Sequence, residues 1–174
     1  MLVHPAQWLH QAGGHQQGSE LLARLVTRSR AEARLVEPLG RLYFEAYDPG
    51  VACDSLADAV ADIAASFDGA YGDFWFESSP LVEENGQIVA ALMTVLCAPW
   101  EDTPDCPFII ELFTARTHRR QGFARLLISR CMSSAFEAGE ESVALRVVSS
   151  NTSALTMYEA LGFSTWSGSK EAGG

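Results

Sequence analysis

The stretch "RTHRRQGFARLLISRCM" (116–132) joins a cluster of positive charge to the start of an apolar helix. Five basic side chains surround Gly122: Arg116, His118, Arg119, Arg120 and Arg125. The stretch follows the apolar segment 108–114 ("FIIELFT"), and its helical run (123–139) precedes a second apolar segment, 142–150 ("SVALRVVSS"). A strand, a helix and a strand of these lengths form a right-handed crossover, which makes the two strands parallel. The sequence therefore predicts an α/β chain with a mixed sheet.

The glycine at the start of this helix predicts an anion-binding turn. A helix N-terminus leaves several backbone N–H groups without partners, and the helix dipole makes that end positive. Gly122 lets the backbone bend and lets an anion approach closely. Arg119, Arg120 and Arg125 could add charge-assisted hydrogen bonds to a phosphate. The turn is neither a Walker A loop nor a GxGxxG motif, and a solvated turn before a surface helix remains an alternative.

The bulk composition describes one globular domain with acidic character. The 174 residues suffice for a single sizeable core, and 48% are hydrophobic. Lys and Arg number 12 against 22 Asp and Glu, for a formal net charge of −10. This balance disfavours a nucleic-acid partner, because attraction to phosphates dominates that affinity. It favours a neutral or cationic partner.

The cysteines and the N-terminus give no sign of secretion or of a metal site. The four cysteines are Cys53, Cys97, Cys106 and Cys131. None forms a CxxC pair, so we expect neither zinc nor disulfides, and a reducing, cytoplasmic location. No signal peptide is recognisable, and the longest apolar run, 88–98, is too short to cross a bilayer. His4, His10 and His15 could form a metal tract, but a polar, partly ordered leader over residues 1–18 is the simpler interpretation.

Periodicity and turn signals place the other elements. Asn85-Gly86 between two apolar runs predicts a hairpin over 80–96. The spacing over 54–69 predicts an amphipathic helix with Asp54 as its N-cap. A helix over 29–48 is expected to be interrupted near Pro38. Weaker patterns indicate strands at 20–26 and 163–166, a loop at 98–107 and a short helix at 152–162. On the helix 123–139, we expect four residues to face inward: Leu126, Leu127, Cys131 and Phe136.

Two stretches together resemble the GNAT-type N-acetyltransferase superfamily. The first is Arg-Arg-Gln-Gly-Phe-Ala (119–124), which is similar to the family's R/Q-x-x-G-x-G/A signature at a strand–helix turn. The second is a strand followed by Asn151, then a helix with Tyr158 and Leu-Gly-Phe (161–163). The resemblance covers residues 80–166. It implies a single domain over 1–174 with a mostly antiparallel central sheet, a parallel β-α-β cofactor unit and helices on both faces.

The resemblance also implies acetyl-CoA as co-substrate and assigns residues to it. In this family, main-chain N–H groups of the glycine turn hold the diphosphate, and the pantetheine arm lies along the strand before it. The implied cofactor-binding residues are Leu112, Phe113, Thr114, Arg119, Arg120, Gln121, Gly122, Phe123, Ala124, Arg125, Asn151 and Ser153. Thr114 stands where the family often has Val, which matters little for a backbone contact.

The resemblance further suggests how acetyl transfer to an amine would proceed. Tyr158 matches the family tyrosine that protonates the leaving thiolate, and a backbone N–H near Leu112 would stabilise the oxyanion. Members that acetylate protein N-termini often carry a Glu at the position of Arg146, so that acceptor class is disfavoured. Glu111 remains as the candidate base. Strand alternation would place Ile110 and Leu112 on one face and Glu111 on the other, unless a β-bulge re-aims it.

The acceptor is the least determined partner. Carboxylates beside aromatic residues in 71–80 and 98–107 would suit a small primary ammonium, although core aromatics and a solvated acidic loop explain them equally. Direct transfer in a ternary complex is expected, because no cysteine lies where a covalent carrier is implied. The alternatives are a non-catalytic acyl-CoA-binding module and a domain that binds nothing. Homodimers are common in the family, so a homodimer is compatible with the resemblance; no membrane or nucleic-acid partner is expected.

Overall fold

A mixed sheet lies at the centre of the computed structural model, which describes residues 1–5, 23–24, 32–48 and 50–168. Within these ranges the sheet has seven strands: β1 (Leu2–Pro5), β2 (Ala23–Arg24), β3 (Leu81–Glu84), β4 (Gln87–Val95), β5 (Phe108–Thr114), β6 (Ser142–Leu145) and β7 (Ser164–Thr165). Their order across the sheet is β2-β3-β4-β5-β6-β1-β7. The pair β5–β6 is parallel, and the other pairs are antiparallel.

Helices cover both faces of this sheet. They are α1 (Glu32–Ala46), α2 (Leu56–Phe67), α3 (Phe123–Glu137) and α4 (Thr152–Ala160). One core lies between the sheet and α3 with α4, where Leu127 and Ile128 are fully buried. The other lies between the sheet and α1 with α2, around Tyr43, Ile63 and Phe113. Among the described residues, no helix is both long and apolar enough to span a membrane.

The two strongest sequence signals are confirmed. The hairpin β3–β4 turns at Asn85 and Gly86, whose φ angles of 52° and 78° are the left-handed values of a type I′ turn. The unit β5–α3–β6 is a parallel crossover, with Phe108 opposite Ala144 and Ile109 opposite Leu145. The crossover therefore brings the Gly122 turn to the C-terminal end of β5.

The first residues of the chain depart from the expected leader. Residues 2–5 form β1, which pairs with β6 on one side and with β7 on the other. His4 is buried in this strand and its ring lies 5.2 Å from that of Phe163. Sheet pairing with distant strands stabilises these residues, and four residues are too few to show a period in the sequence. His10, His15 and most of the strand predicted at 20–26 lie outside the described residues.

Several helix details also differ from the predictions. Helix α1 is continuous through Pro38, which is exposed, because the buried face around Leu39 and Leu42 packs against the other elements and offsets the lost hydrogen bond. The N-cap of α2 is Ser55 rather than Asp54: its Oγ accepts a hydrogen bond from the Asp58 N–H at 3.1 Å. On α3, Phe136 is 38% exposed.

The buried face of α3 includes only two of the four residues that were predicted to face inward. Only Leu127 and Cys131 of those four are buried, and Leu126 is half-buried. The face consists of Phe123, Leu127, Ile128, Cys131, Met132 and Ala135. Strand β6 ends at Leu145, so residues 146–150 of the predicted strand form a loop that leads to α4.

Candidate active site

A groove of about 660 Å³ extends from the Gly122 turn to Tyr158. It lies where β5 and β6 separate: the two strands pair at Phe108 and Ile109 of β5, and beyond these residues Leu112 opens onto the groove. The predicted cofactor residues that line it are Leu112, Phe113, Thr114, Arg119, Arg120, Gly122, Phe123, Ala124, Arg125, Asn151 and Ser153. Gln121 does not line it; its Nε2 lies 3.4 Å from the Thr117 carbonyl oxygen.

The turn before α3 presents its backbone to this groove. Gly122 is the N-cap of α3 with φ at 88°, and Arg120 also has a left-handed φ of 64°. A Cβ on Gly122 would meet no heavy atom within 4 Å, so the space beside it is open. The first N–H groups of a helix have no intrahelical acceptor, and alternating backbone conformations of this kind form anion-binding nests. The turn thus has the geometry of a phosphate seat.

Two arginines of the turn are directed to helix α1. The Arg119 guanidinium donates to the Ala46 carbonyl oxygen at the C-terminal end of α1. Arg116 donates to the carbonyl oxygens of Glu45 at 2.9 Å and Tyr47 at 2.6 Å. These bonds satisfy carbonyls that a helix C-terminus leaves unpaired and place positive charge at its negative end. Arg119 therefore joins α1 to the turn, whereas the sequence assigned it to the diphosphate.

Helix α4 supplies the opposite side of the groove. Asn151 is its N-cap, with Oδ1 accepting from the Ala154 N–H at 3.2 Å, and this fixes the side chain at the groove. The Tyr158 ring is buried against Phe163, at a centroid distance of 5.6 Å. Burial, with a smaller effect of the Glu111 charge, raises the pKa of Tyr158 to about 12. The hydroxyl is consequently a neutral proton donor near neutral pH.

Glu111 faces helix α1, on the face of the sheet opposite Leu112, and a β-bulge lies next to it. Met93 of β4 lies opposite Glu111 while the next residue, Thr94, lies opposite Ile109, so Ile110 is an extra residue on β5. Ile110 consequently packs with the α1 and α2 core, while Leu112 packs with the α3 and α4 core. The prediction that Glu111 and Leu112 lie on opposite faces is confirmed, but the prediction that Ile110 shares the face of Leu112 is wrong, because the bulge places Ile110 on the other face.

Two tyrosines hold the Glu111 carboxylate: Tyr43 in the last turn of α1 and Tyr47 just after the helix. The hydroxyl of Tyr43 donates to Oε1 at 3.2 Å, and that of Tyr47 donates to Oε2 at 3.1 Å. Burial raises the pKa of Glu111 to about 7, although these two hydrogen bonds lower it; the nearby Asp62 charge adds to the rise. Tyr47 also lines the groove. Glu111 therefore lies immediately behind a groove residue, with a pKa suited to a general base near neutral pH.

A second set of acidic and aromatic residues lies on the same side. Tyr71 donates from its hydroxyl to Asp62 Oδ1 on α2, and its ring lies 6.3 Å from that of Trp100. Arg146 lies over Trp100, 5.6 Å from the ring centroid, and forms an ion pair with Asp102 at 2.8 Å. The loop 98–107 thus contacts the end of β6. By contrast, Phe74 and Phe76 of the predicted aromatic stretch pack on each other at 4.6 Å and on Phe67.

Sequence reasoning missed the contribution of α1. Ala46 at the end of α1 and the next two residues, Tyr47 and Asp48, line the groove, yet none of the three was predicted as a site residue. The available signal was the spacing of Tyr43 and Tyr47, which places both on one helix face. No cluster of metal-ligating side chains occurs among the residues that the structure describes.

Comparison with known proteins identifies the family to which this groove belongs. The family model "Acetyltransferase (GNAT) family" matches residues 45–163, which include β5, the Gly122 turn and α4. The chain belongs to the GNAT family. The predicted superfamily and fold class are confirmed, with a mixed, mostly antiparallel sheet and helices on both faces.

Curated GNAT relatives share about a third of their aligned residues with this chain. It is 35% identical over 111 residues to "Probable N-acetyltransferase family 8 member 5" of Mus musculus, covering 62% of this chain and 45% of that protein. It is 31% identical over 111 residues to "N-acetyltransferase 8F1" of Rattus norvegicus, covering 62% of this chain and 47% of that protein. The chain spans about half the length of the curated relatives that it matches.

Solved GNAT structures share the fold at low sequence identity. The ribosomal-protein-S18-alanine N-acetyltransferase from Escherichia coli superposes with a TM-score of 0.62 at 16% identity, covering 84% of this chain and 80% of that one. The aminoglycoside N-acetyltransferase AAC(6')-Iy in complex with CoA gives a TM-score of 0.61 at 18% identity, covering 87% and 92%. The two neighbours carry different acceptors in their names, so the shared fold alone does not select one.

Proposed function

We propose that this protein transfers an acetyl group from acetyl-CoA to a primary amine, directly and within a ternary complex. One observation carries the proposal: a single groove is lined both by the open amide turn at Gly122 and by Tyr158, with the Glu111 carboxylate behind Tyr47. The turn suits an anion, and the far end supplies a proton donor and a proton acceptor. This is the arrangement that acetyl transfer from a thioester requires.

Acetyl-CoA fits the residues of the groove. The backbone amides of 120–125 would receive the diphosphate, with Arg120 and Arg125 adding charge at the rim. The pantetheine arm would follow the backbone of Leu112–Thr114, which is accessible because β6 has turned away. Asn151 and Ser153 would face the arm from α4. When bound, the thioester supplies an electrophilic carbonyl carbon and a sulfur leaving group.

Two side chains, Glu111 and Tyr158, would carry out the proton transfers. Glu111 would accept a proton from the substrate ammonium, because only the neutral amine has a lone pair for attack. The backbone near Leu112 is the candidate for stabilising the oxyanion. As the new carbon–nitrogen bond forms and the carbon–sulfur bond breaks, Tyr158 would donate its proton to the departing sulfur. Once the carbon–nitrogen bond has formed, the nitrogen would lose its second proton to solvent, which leaves the neutral amide. Tyr158 would recover a proton from solvent, and Glu111 would release to solvent the one that it accepted.

The acceptor is proposed to be small and cationic. Its path to Glu111 lies on the α1 and α2 side of the sheet, where Asp62 and Tyr71 add acidic and aromatic surface. The overall net charge of −10 favours the approach of a cation. Arg146, engaged by Asp102 and Trp100, would disfavour a second positive charge near the end of β6. A compact amine therefore suits the site better than a long polycation.

Arg146 also supports a second candidate, a module that binds acyl-CoA without catalysis. It occupies the position at which related N-terminal acetyltransferases often place a carboxylate, and it cannot accept a proton. Such a module would still bind acyl-CoA in the groove and at the Gly122 turn, and Glu111 would be a buried acid with no part in proton transfer.

Titration calorimetry and a thiol-release assay distinguish the two candidates. We expect acetyl-CoA to bind, and coenzyme A to be released when a panel of compact primary amines is added. Binding without thiol release on any amine would favour the non-catalytic module. No heat and no thermal stabilisation with acetyl-CoA would overturn both.

A further inference from the structure

Two tyrosines four residues apart reach the same carboxylate from the C-terminal end of α1. Tyr43 lies in the last turn of the helix, and Tyr47 is the first residue after it. Each donates to a different oxygen of Glu111, at 3.2 Å and 3.1 Å. Their rings meet edge to face at 5.3 Å, and the Tyr43 ring also lies 5.3 Å from that of Phe113. The packing holds both hydroxyls on the carboxylate.

The other groups that face Glu111 do not stabilise its negative charge. The charge of Asp62 on α2 repels that of Glu111. Tyr158 of α4 and Tyr71 carry no charge, and the Glu111 charge helps to raise the pKa of each of them. Cys53, a thiol before α2, is close enough to be influenced as well. Among the described residues, no ion pair joins Glu111 to an arginine, lysine or histidine. The two tyrosine hydroxyls are therefore the groups that favour the charged carboxylate.

The end of α1 that carries Tyr47 is anchored to the cofactor turn. Arg116 donates to the Tyr47 carbonyl oxygen at 2.6 Å, and Arg119 donates to that of Ala46. The Tyr47 side chain lines the groove while its hydroxyl donates to Glu111. Tyr47 thus lines the groove, accepts a hydrogen bond from Arg116 before the turn and donates one to the Glu111 carboxylate.

We propose that Tyr43 and Tyr47 are positioning residues for acetyl transfer: their hydroxyls keep Glu111 charged and aim it at the incoming amine. This inference rests on the proposed function, because it assigns the carboxylate to the proton-accepting step. Loss of either hydroxyl would leave a buried acid that holds its proton more tightly. Glu111 would then reach its active form only at higher pH.

The pH dependence of kcat/KM in Tyr43→Phe, Tyr47→Phe and the double variant tests this inference. A hydrogen bond to a charged group corresponds to about one pKa unit, so each single change should move the acidic limb upward by about one pH unit. Activity should fall about tenfold on that limb and recover above it, and the double variant should move further. Glu37→Gln, which removes an exposed charge from α1 far from the carboxylate, should leave the limb in place.

A limb that stays in place in all three variants would overturn the inference, as would a loss of activity that is equal at every pH, since that indicates a structural role. Tyr47 lines the groove, so Tyr47→Phe decides the matter if Tyr43→Phe does not fold.

A direct titration separates this inference from the proposed function. The carbon-13 resonance of the Glu111 carboxyl, assigned by its absence in Glu111→Gln, reports protonation without substrate or cofactor. We expect its midpoint to rise in both phenylalanine variants even if no amine is acetylated. An unchanged midpoint would overturn the proposed role of Tyr43 and Tyr47, whatever the activity assays show.

Discussion

Two parts of the candidate site differ in the atoms that form them. The first, here the turn wall (119–125), presents backbone amides from a single local turn, and its open space at Gly122 holds no side chain. The second, here the helix wall, consists of Tyr43, Tyr47 and Glu111, of which Tyr47 alone lines the groove. Its hydrogen bonds join residues 68 and 64 positions apart. The first depends on backbone geometry, and the second depends on long-range side-chain contacts.

This difference predicts different responses to substitution. A backbone seat tolerates most side-chain changes outside the glycine, because every residue contributes the same N–H group. The helix wall does not tolerate substitution of Glu111 or of its two tyrosine donors, because proton acceptance depends on that one carboxylate and the hydroxyls that bind it. Changes in the helix wall should therefore affect turnover, and changes in the turn wall should affect acetyl-CoA binding.

The largest effect is expected for Glu111→Gln. The amide cannot accept the ammonium proton, and removal of a general base costs about 10²–10⁴-fold in rate. We expect kcat to fall by roughly 100-fold or more while the Kd for acetyl-CoA stays within about twofold, as measured by steady-state kinetics and calorimetry. An undiminished kcat at all pH values would remove Glu111 from the reaction, and a parallel loss of acetyl-CoA affinity would break the separation of the two walls.

The converse change is Gly122→Asp in the turn wall. The carboxylate would occupy the open space beside the amides and repel a diphosphate, and the left-handed φ of 88° adds strain. We expect acetyl-CoA to bind about 10–100-fold more weakly, on the order of 1.4–2.7 kcal/mol, with kcat at saturation little changed. Gly122→Ala is the control, since it adds the strain without the charge and should weaken binding less. Equal affinity for Gly122→Asp and the unchanged protein would place the diphosphate elsewhere.

The turn wall and its surroundings were predictable because their signals are local. Gly122 before an apolar helix, and Asn85-Gly86 between two apolar runs, each specify a backbone conformation within a few residues. The superfamily resemblance rests on the same local stretches, which explains why the predicted residues from Leu112 to Arg125, apart from Gln121, meet at one groove. Asn151 joins them for the same reason, since it caps α4.

The helix wall was not predictable to the same degree because its contacts are long-range. Alternation with Leu112 predicts the face of Glu111, but not its two tyrosine partners 64 and 68 positions away, and no period in the sequence reveals the bulge at Ile110. Strand β1 is specified by pairing with β6 and β7 rather than by its own four residues. Arg119 was assigned to the cofactor from its charge and from the family motif, and nothing in the sequence indicated that its guanidinium would also donate to the Ala46 carbonyl oxygen.

A smaller effect, also confined to the helix wall, is expected for Gly40→Ala. A Cβ at Gly40 would lie 2.6 Å from Val60 Cγ2 and 2.7 Å from Val60 Cα, so α1 and α2 must move apart. Overpacking of this kind costs about 1–3 kcal/mol, against a gain of roughly 0.5–1 kcal/mol in helix propensity. We expect a net loss of about 1 kcal/mol in the free energy of unfolding, and a several-fold lower kcat with unchanged acetyl-CoA affinity.

Denaturant unfolding and calorimetry measure both parts of this prediction. Val60→Ala in the Gly40→Ala background removes the side-chain part of the clash and should restore some of the stability. A Gly40→Ala protein that is more stable than the parent would show that the two helices separate without cost. A fall in acetyl-CoA affinity instead of kcat would show that α1 serves the turn wall as much as the helix wall.

The smallest effect concerns the pH dependence of stability, where the helix wall and β1 should act in opposite directions. Burial lowers the pKa of His4 below its ordinary value of 6.5, and its Nδ1 has no hydrogen-bond partner among the described residues. Below pH 6.5 the unfolded chain binds a proton at this position that the folded chain resists, so His4 destabilises the fold as the pH falls. Glu111 does the reverse: its pKa rises from 4.5 to about 7 on folding, so the folded chain gains stability as the pH falls from about 7 to 4.5.

These opposite slopes can be separated by urea unfolding at pH 7.5 and pH 5.5. One titrating group contributes no more than about 1.4 kcal/mol per pH unit. Compared with the parent, His4→Gln should retain more stability at the lower pH and Glu111→Gln should retain less. Because each variant is compared with itself at two pH values, any constant cost of the substitution cancels. If the two variants shifted in the same direction, the carboxylate would have to be charged in the folded chain throughout this range, and the helix wall would then hold an acid too strong to act as the proposed base.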